Sequence, residues 1–75
     1  MTKQDILSGK PMVVKISTGL TVVTVLRTTD GNGPNAQQRY WVTNLRTGNT
    51  TLIGARAFKR FATDKDMEWV RRNAR

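Results

Sequence analysis

The run Arg39-Tyr40-Trp41-Val42-Thr43 holds the residue types and spacing with the most chemistry to offer. In an extended strand side chains alternate, so Arg39, Trp41 and Thr43 share one face and Tyr40 and Val42 the other. With Tyr40 and Val42 turned into a core, Arg39 and Trp41 form a basic, aromatic platform. Nucleobases stack on such a surface, each contact worth roughly 1–3 kcal/mol. With the faces reversed, Trp41 is a large core residue and Tyr40 is the exposed one. The run by itself allows both arrangements.

A second cluster is Arg56, Lys59 and Arg60. On a helix their i, i+3, i+4 spacing puts all three on one face, spaced to meet a phosphate backbone. The plain alternative is the solvated outer face of an amphipathic turn. A third cluster, Arg71, Arg72 and Arg75, closes the chain. Cations at a helix C-terminus are favourable through the helix dipole alone, so this cluster has a structural reading beside the binding one. Arg46, Lys10 and Lys15 add to the positive field.

Catalytic chemistry finds few candidates. The chain has no His and no Cys, which removes the usual neutral-pH acid–base group, the thiolate nucleophile and the thiolate metal ligands. Asp5, Asp64, Asp66 and Glu68 sit where helices are expected to start, as caps, and Asp30 lies in a loop. That leaves no carboxylate pair for hydrolysis and no metal set. The glycines form neither a Walker nor a dinucleotide-type phosphate loop. The expectation is a protein that binds and does not catalyse, with no cofactor, no metal and no small-molecule substrate.

Charge says what it would bind. Thirteen Lys and Arg face five Asp and Glu, for a formal charge of +8 and an isoelectric point near 11.3. On so small a body this field attracts polyanions and speeds encounter with them. The charge sits at the upper edge of what is usual for soluble small domains, about 2–8. The hydrophobic fraction of 37% is enough for a compact fold. No apolar run is long enough to cross a membrane, and the first residues lack the apolar stretch of a secretory signal. Together with the missing cysteines, this points to a cytoplasmic setting.

The elements that must position these residues fit one domain spanning all 75 residues. Thr2-Lys3-Gln4-Asp5 reads as a capping box for a short helical turn, which Gly9 ends in a left-handed conformation and Pro11 keeps from continuing. Residues 12–17 alternate as a strand, with Met12, Val14 and Ile16 on one face. Thr18-Gly19 is a tight turn. Residues 20–28, rich in Val, Thr and Leu and apolar on both faces, read as a central strand. Asp30-Gly31-Asn32-Gly33-Pro34-Asn35 is a loop, residues 37–44 a third strand, Arg46-Thr47-Gly48-Asn49 a turn and residues 50–53 a fourth strand. In residues 55–62 the period changes. Ala55, Phe58, Phe61 and Ala62 fall at helical spacing, with both aromatics directed to the core, and a helical turn leading into a short fifth strand fits as well. Thr63-Asp64-Lys65-Asp66 is a second capping box, opening a final helix from about Asp64 toward Arg75 in which Met67 and Val70 share a face with Trp69 beside them.

The fold class expected is mainly β, an antiparallel sheet of four to five strands, or a barrel, with a short N-terminal helical turn and a C-terminal helix. The meander, its wide second loop and the helical turn near the last strand resemble SH3-like barrels of the KOW and Tudor types over about residues 11–62. That resemblance implies binding of RNA, DNA or protein segments through loops and one exposed sheet face, and it brings Arg39, Trp41 and Arg46 into play. The helix–strands–helix order is similar, more loosely, to double-stranded-RNA-binding domains, and the size and charge are similar to small accessory proteins of bacteriophages. The sequence thus points first to a nucleic-acid-binding module of limited sequence specificity, using Arg39, Trp41, Arg46, Arg56, Lys59, Arg60, Arg71 and Arg72. The alternative partner is an acidic protein surface, on which arginines and Trp41 would act as anchors.

Overall fold

A computed structural model describes residues 2–29 and 38–74. The order is a short helix α1 (Lys3–Ile6), strands β1 (Met12–Ile16), β2 (Gly19–Thr29), β3 (Arg39–Asn44) and β4 (Thr50–Gly54), a 3-10 turn (Ala55–Ala57), β5 (Phe58–Phe61) and helix α2 (Asp64–Asn73). The strands form one open antiparallel sheet in the order β4-β3-β2-β1-β5. This is the mainly β architecture expected, with β2 in the middle, as its apolar composition on both faces requires. The loop read from Asp30 to Asn35, together with Gln37 and Arg75, lies outside the described residues.

Turns and caps follow from local chemistry. Both capping boxes form: the Thr2 hydroxyl accepts from the Asp5 amide and Asp5 from the Thr2 amide, and Thr63 and Asp66 do the same at α2. Gly9 takes a φ of +83°, Gly19 closes the β1–β2 turn at +117° and Gly48 the β3–β4 turn at +78°. Each is a conformation that a side chain resists.

The sheet buries both faces, unequally. On the inner face Met12, Val14, Val23, Tyr40, Val42 and Phe58 make the main core, with Ile6 of α1 packed into it. On the outer face Val13 and Val22 are covered by Val70 of α2, with Leu45, Ala62 and Met67 around them. Tyr40 and Phe58 meet edge to face, ring centroids 5.4 Å apart. In a flat sheet β3 and β5, three strand positions apart, would stand about 14 Å from each other. The contact therefore requires a sheet curled around its inner face, a geometry that bulges promote. There are two: β2 carries an extra residue, Leu26, between the positions that pair with Val42 and Trp41, and β5 carries Lys59 between those that pair with Val14 and Val13.

Of the two readings of residues 55–62, the helical turn leading into a short fifth strand is the one that forms, and the continuous helical face is not. Arg56, Lys59 and Arg60 do not share a helical face: Arg56 lies in the 3-10 turn and the other two in β5. The apolar edge of β1 recruits residues 58–61 as a strand, and inserting Lys59 brings Phe58 and Phe61 to the same side although they are three apart. A bulged strand thus imitates the i, i+3 spacing of a helix. Phe58 is buried, but Phe61 is 39% exposed, with the Lys10 ammonium 5.6 Å from its ring centroid.

α2 is fastened to the sheet at its start. Both terminal nitrogens of Arg60 donate to the Asp66 carboxylate, which also accepts from the amide and hydroxyl of Thr63. These donors hold the Asp66 carboxyl well below the usual carboxylate range, the Arg60 hydrogen bond contributing most, and raise the Arg60 guanidinium in turn. An acid pKa lowered by folding stabilises the fold fully above about pH 4, the ordinary carboxylate value, and that contribution is lost as pH falls below it. Thermal melts should therefore stay level from pH 7 to 5 and decline below pH 4. Asp66→Ala should lower the neutral midpoint by roughly 4–8 °C, the effect of about 1 kcal/mol of lost cap in a domain this size, and flatten the acid decline.

Candidate nucleic-acid interface

The orientation of β3 decides the site. Tyr40 and Val42 are buried, so Arg39, Trp41 and Thr43 stand on the outer face, on the part that α2 leaves open. Cross-strand register fills in the rest: Thr24 lies opposite Thr43, Arg27 opposite Trp41 and Thr29 opposite Arg39 on β2, and Thr50, Leu52 and Gly54 lie opposite Thr43, Trp41 and Arg39 on β4. Trp41 is half-buried among these neighbours, while Arg39 is exposed. Its cross-strand partner Gly54 offers no side chain, and a Cβ built there would meet nothing within 4 Å.

Arg27 is the residue that sequence reasoning missed. Unbroken alternation from Val23 and Val25 would send it to the inner face. The extra residue Leu26 turns it over, so that its guanidinium carbon lies 5.8 Å from the Trp41 ring centroid. Leu26 itself is left 58% exposed. Leu26, Arg27, Trp41 and Thr50 line a shallow cleft of about 290 Å³. A charged residue arriving on the core phase of a strand was the available signal, because only a bulge can relieve it.

The cleft offers a guanidinium over an indole, apolar contact from Leu26 and a hydroxyl from Thr50, with Leu52, Thr24 and Thr43 at the neighbouring cross-strand positions. Planar π systems stack on guanidinium and indole surfaces, and the hydroxyls can donate or accept. Electrostatics favour an anion. Every carboxylate among the described residues belongs to a helix, Asp5 to α1 and Asp64, Asp66 and Glu68 to α2, so the described strands and turns carry cations alone.

The other expected cations scatter. Arg56 lines a groove of about 480 Å³ with Lys3, Gln38, Tyr40, Gly54 and Ala55, around the end of the sheet where Arg39 stands. The Lys59 ammonium donates to the Arg56 carbonyl at 3.3 Å. Arg60 is committed to Asp66, and Arg72 pairs with Glu68 at 2.8 Å. Arg71 sits in the last turn of α2. Arg46, half-buried in the β3–β4 turn, lies at the opposite end of β3 from Arg39. Thus Arg39 and Trp41 belong to one surface with Arg27, Arg56 lines a separate groove at the same end of the sheet, and Arg46, Lys59, Arg60, Arg71 and Arg72 are outside both.

No group of three or more His, Cys, Asp or Glu that could hold a metal ion occurs among the described residues, and none of the described helices is long and apolar enough to cross a membrane. Comparison with known proteins found no matching family model, no similar curated protein and no similar solved structure.

Arg27 should report on the platform without supporting the fold. In a Trp69→Phe background, where Trp41 is the one remaining indole, Arg27→Gln should change the emission of Trp41 yet move the melting midpoint little. An exposed cation–π contact contributes only about 0.5–1 kcal/mol.

Proposed function

We propose that this protein is a non-catalytic nucleic-acid-binding module that takes a single strand across the open outer face of its sheet. One observation carries the reading: the Arg27 guanidinium lies over the Trp41 ring, 5.8 Å from its centroid, on an open sheet face whose strands carry no carboxylate among the described residues. A base stacks on the guanidinium–indole pair, and Arg39 and Arg56 meet phosphates on either side of the sheet end. A single strand suits this surface because its bases are free to stack, whereas a duplex presents mainly backbone. No constellation for reading base edges accompanies the platform, so specificity is modest. The strand order, with a 3-10 turn ahead of the last strand, supports the likeness to SH3-like barrels, whose binding also uses an exposed sheet face.

The reading of a protein partner has its own observation. Leu20, 59% exposed, and Trp69, 42% exposed, border a cavity of about 270 Å³ lined also by Val13, Thr21, Val22, Arg60 and Asp66. Exposed Trp with neighbouring Arg is a common interface anchor. This cavity shares no lining residue with the Trp41 cleft, so the two readings separate by mutation.

Titration of nuclease-treated protein with labelled single- and double-stranded DNA and RNA at several salt concentrations tests the proposal. Expected are a preference for single strands and a binding constant that falls steeply with salt. Trp41→Ala should weaken binding by the equivalent of about 1–3 kcal/mol, while Arg39→Gln and Arg56→Gln should each flatten the salt dependence by about one phosphate contact. Absence of binding at low salt, or binding indifferent to Trp41 and Arg27, overturns the assignment. A stoichiometric protein complex lost on Trp69→Ala and Leu20→Ser would establish the other surface instead.

A further inference from the structure

We infer that the groove between the β1–β2 and β3–β4 turns is a second ligand site, built for a nucleotide unit with its phosphate held by Lys15 and Arg46. The inference rests on the nucleic-acid reading above but on different residues. The groove has a volume of about 530 Å³ and a floor of Ile16, Ile53 and Ala57 beneath a polar rim. Lys15 and Arg46 both line it, and neither forms an ion pair among the described residues.

The hydrogen-bond pattern of the rim points to an anion. Asn44 already uses its side-chain oxygen, which accepts from the Thr21 hydroxyl at 3.3 Å and from the Arg46 amide at 2.9 Å. What remains to Asn44 is its amide NH₂, a donor. Thr47 accepts from the Asn49 amide at 3.3 Å and keeps its own hydroxyl proton to donate. Ser17 and Thr18 add further hydroxyls, and no carboxylate lines the groove. A rim that combines two cations with amide and hydroxyl donors and carries no carboxylate suits a group with several acceptor oxygens and negative charge, that is, a phosphate. The apolar floor distinguishes the ligand from bare phosphate, since a sugar or base can cover Ile16, Ile53 and Ala57.

The same chemistry is offered by a free mononucleotide and by one residue of a nucleic-acid strand, so the test separates them. Amide NMR of the full chain is followed during titration with a nucleoside monophosphate, the matching nucleoside, inorganic phosphate and a short single-stranded oligonucleotide. The expected result is saturable movement of the Asn44 and Asn49 side-chain amides and of the Thr18 and Thr47 backbone amides with the monophosphate. The nucleoside or phosphate alone should act more weakly. Lys15→Gln with Arg46→Gln should weaken this response about tenfold or more, the equivalent of losing a charged hydrogen bond. Trp41→Ala should leave it intact. If the oligonucleotide moves the same amides at lower concentration than the monophosphate, the site serves a strand; if only the monophosphate does, it serves a free nucleotide. Silence of these amides, or a response untouched by the double substitution, overturns the site. Oligonucleotide binding indifferent to Trp41→Ala, with the groove response preserved, would instead remove only the platform.

Discussion

Asp66 is the point on which the arrangement turns. Its carboxylate closes the capping box of α2 and receives both terminal nitrogens of Arg60 from β5. One short side chain thereby fixes where the helix begins and which strand it begins against. From that origin Met67 and Val70 reach Val13 and Val22, and α2 covers the β1–β2 part of the outer face. What it leaves uncovered is the β3–β4 part, where Trp41 stands. The ion pair is exposed on the arginine side and modest as an energy; its consequence is positional, because it selects which half of a two-faced sheet stays open.

That division also sorts charge. The helices take carboxylates at their first turns, Asp5 in α1 and Asp64 and Asp66 in α2, where the dipole and the free amides favour them, and Glu68 pairs with Arg72 further along α2. The strands keep their cations uncompensated. The net charge of +8 is therefore displayed unevenly, helices near balance and sheet strongly positive. A small chain directs its field in this way, because its helices hold every carboxylate among the described residues and the open face of the sheet holds none.

Much of this was legible in the sequence because it is governed by local rules. Both capping boxes, the glycine turns, the central position of β2 and the alternation of β3 follow from residue types within a few positions of one another. Arg39 and Trp41 were legible as a pair, though not the face they occupy. That depends on which of Tyr40 and Trp41 the curled inner face can hold, and Tyr40 wins by meeting Phe58 from across the sheet. Arg27 was illegible for a related reason. Its side is set by a bulge, and a bulge answers to the pairing partner and not to the strand's own pattern. The residues 58–61 carry the converse lesson: the Phe58–Phe61 spacing looked helical because one inserted residue shifts a strand's two-residue period to three.

The two bulges do opposite things with the residues they displace, and the contrast bears on the surface. In β5, at the sheet edge, the inserted Lys59 puts a charge on a strand whose outer side has no neighbour, which discourages pairing with another chain. In β2, at the sheet centre, the inserted Leu26 is apolar and more than half exposed, and Arg27 is turned from the core side onto Trp41. A central strand gains nothing by exposing a leucine if curvature is its only purpose, since a polar residue would bend the strand as well at less cost in exposed apolar surface. The bulge thus brings an exposed Leu, an Arg and a Trp into one cleft, a combination that curvature alone does not call for.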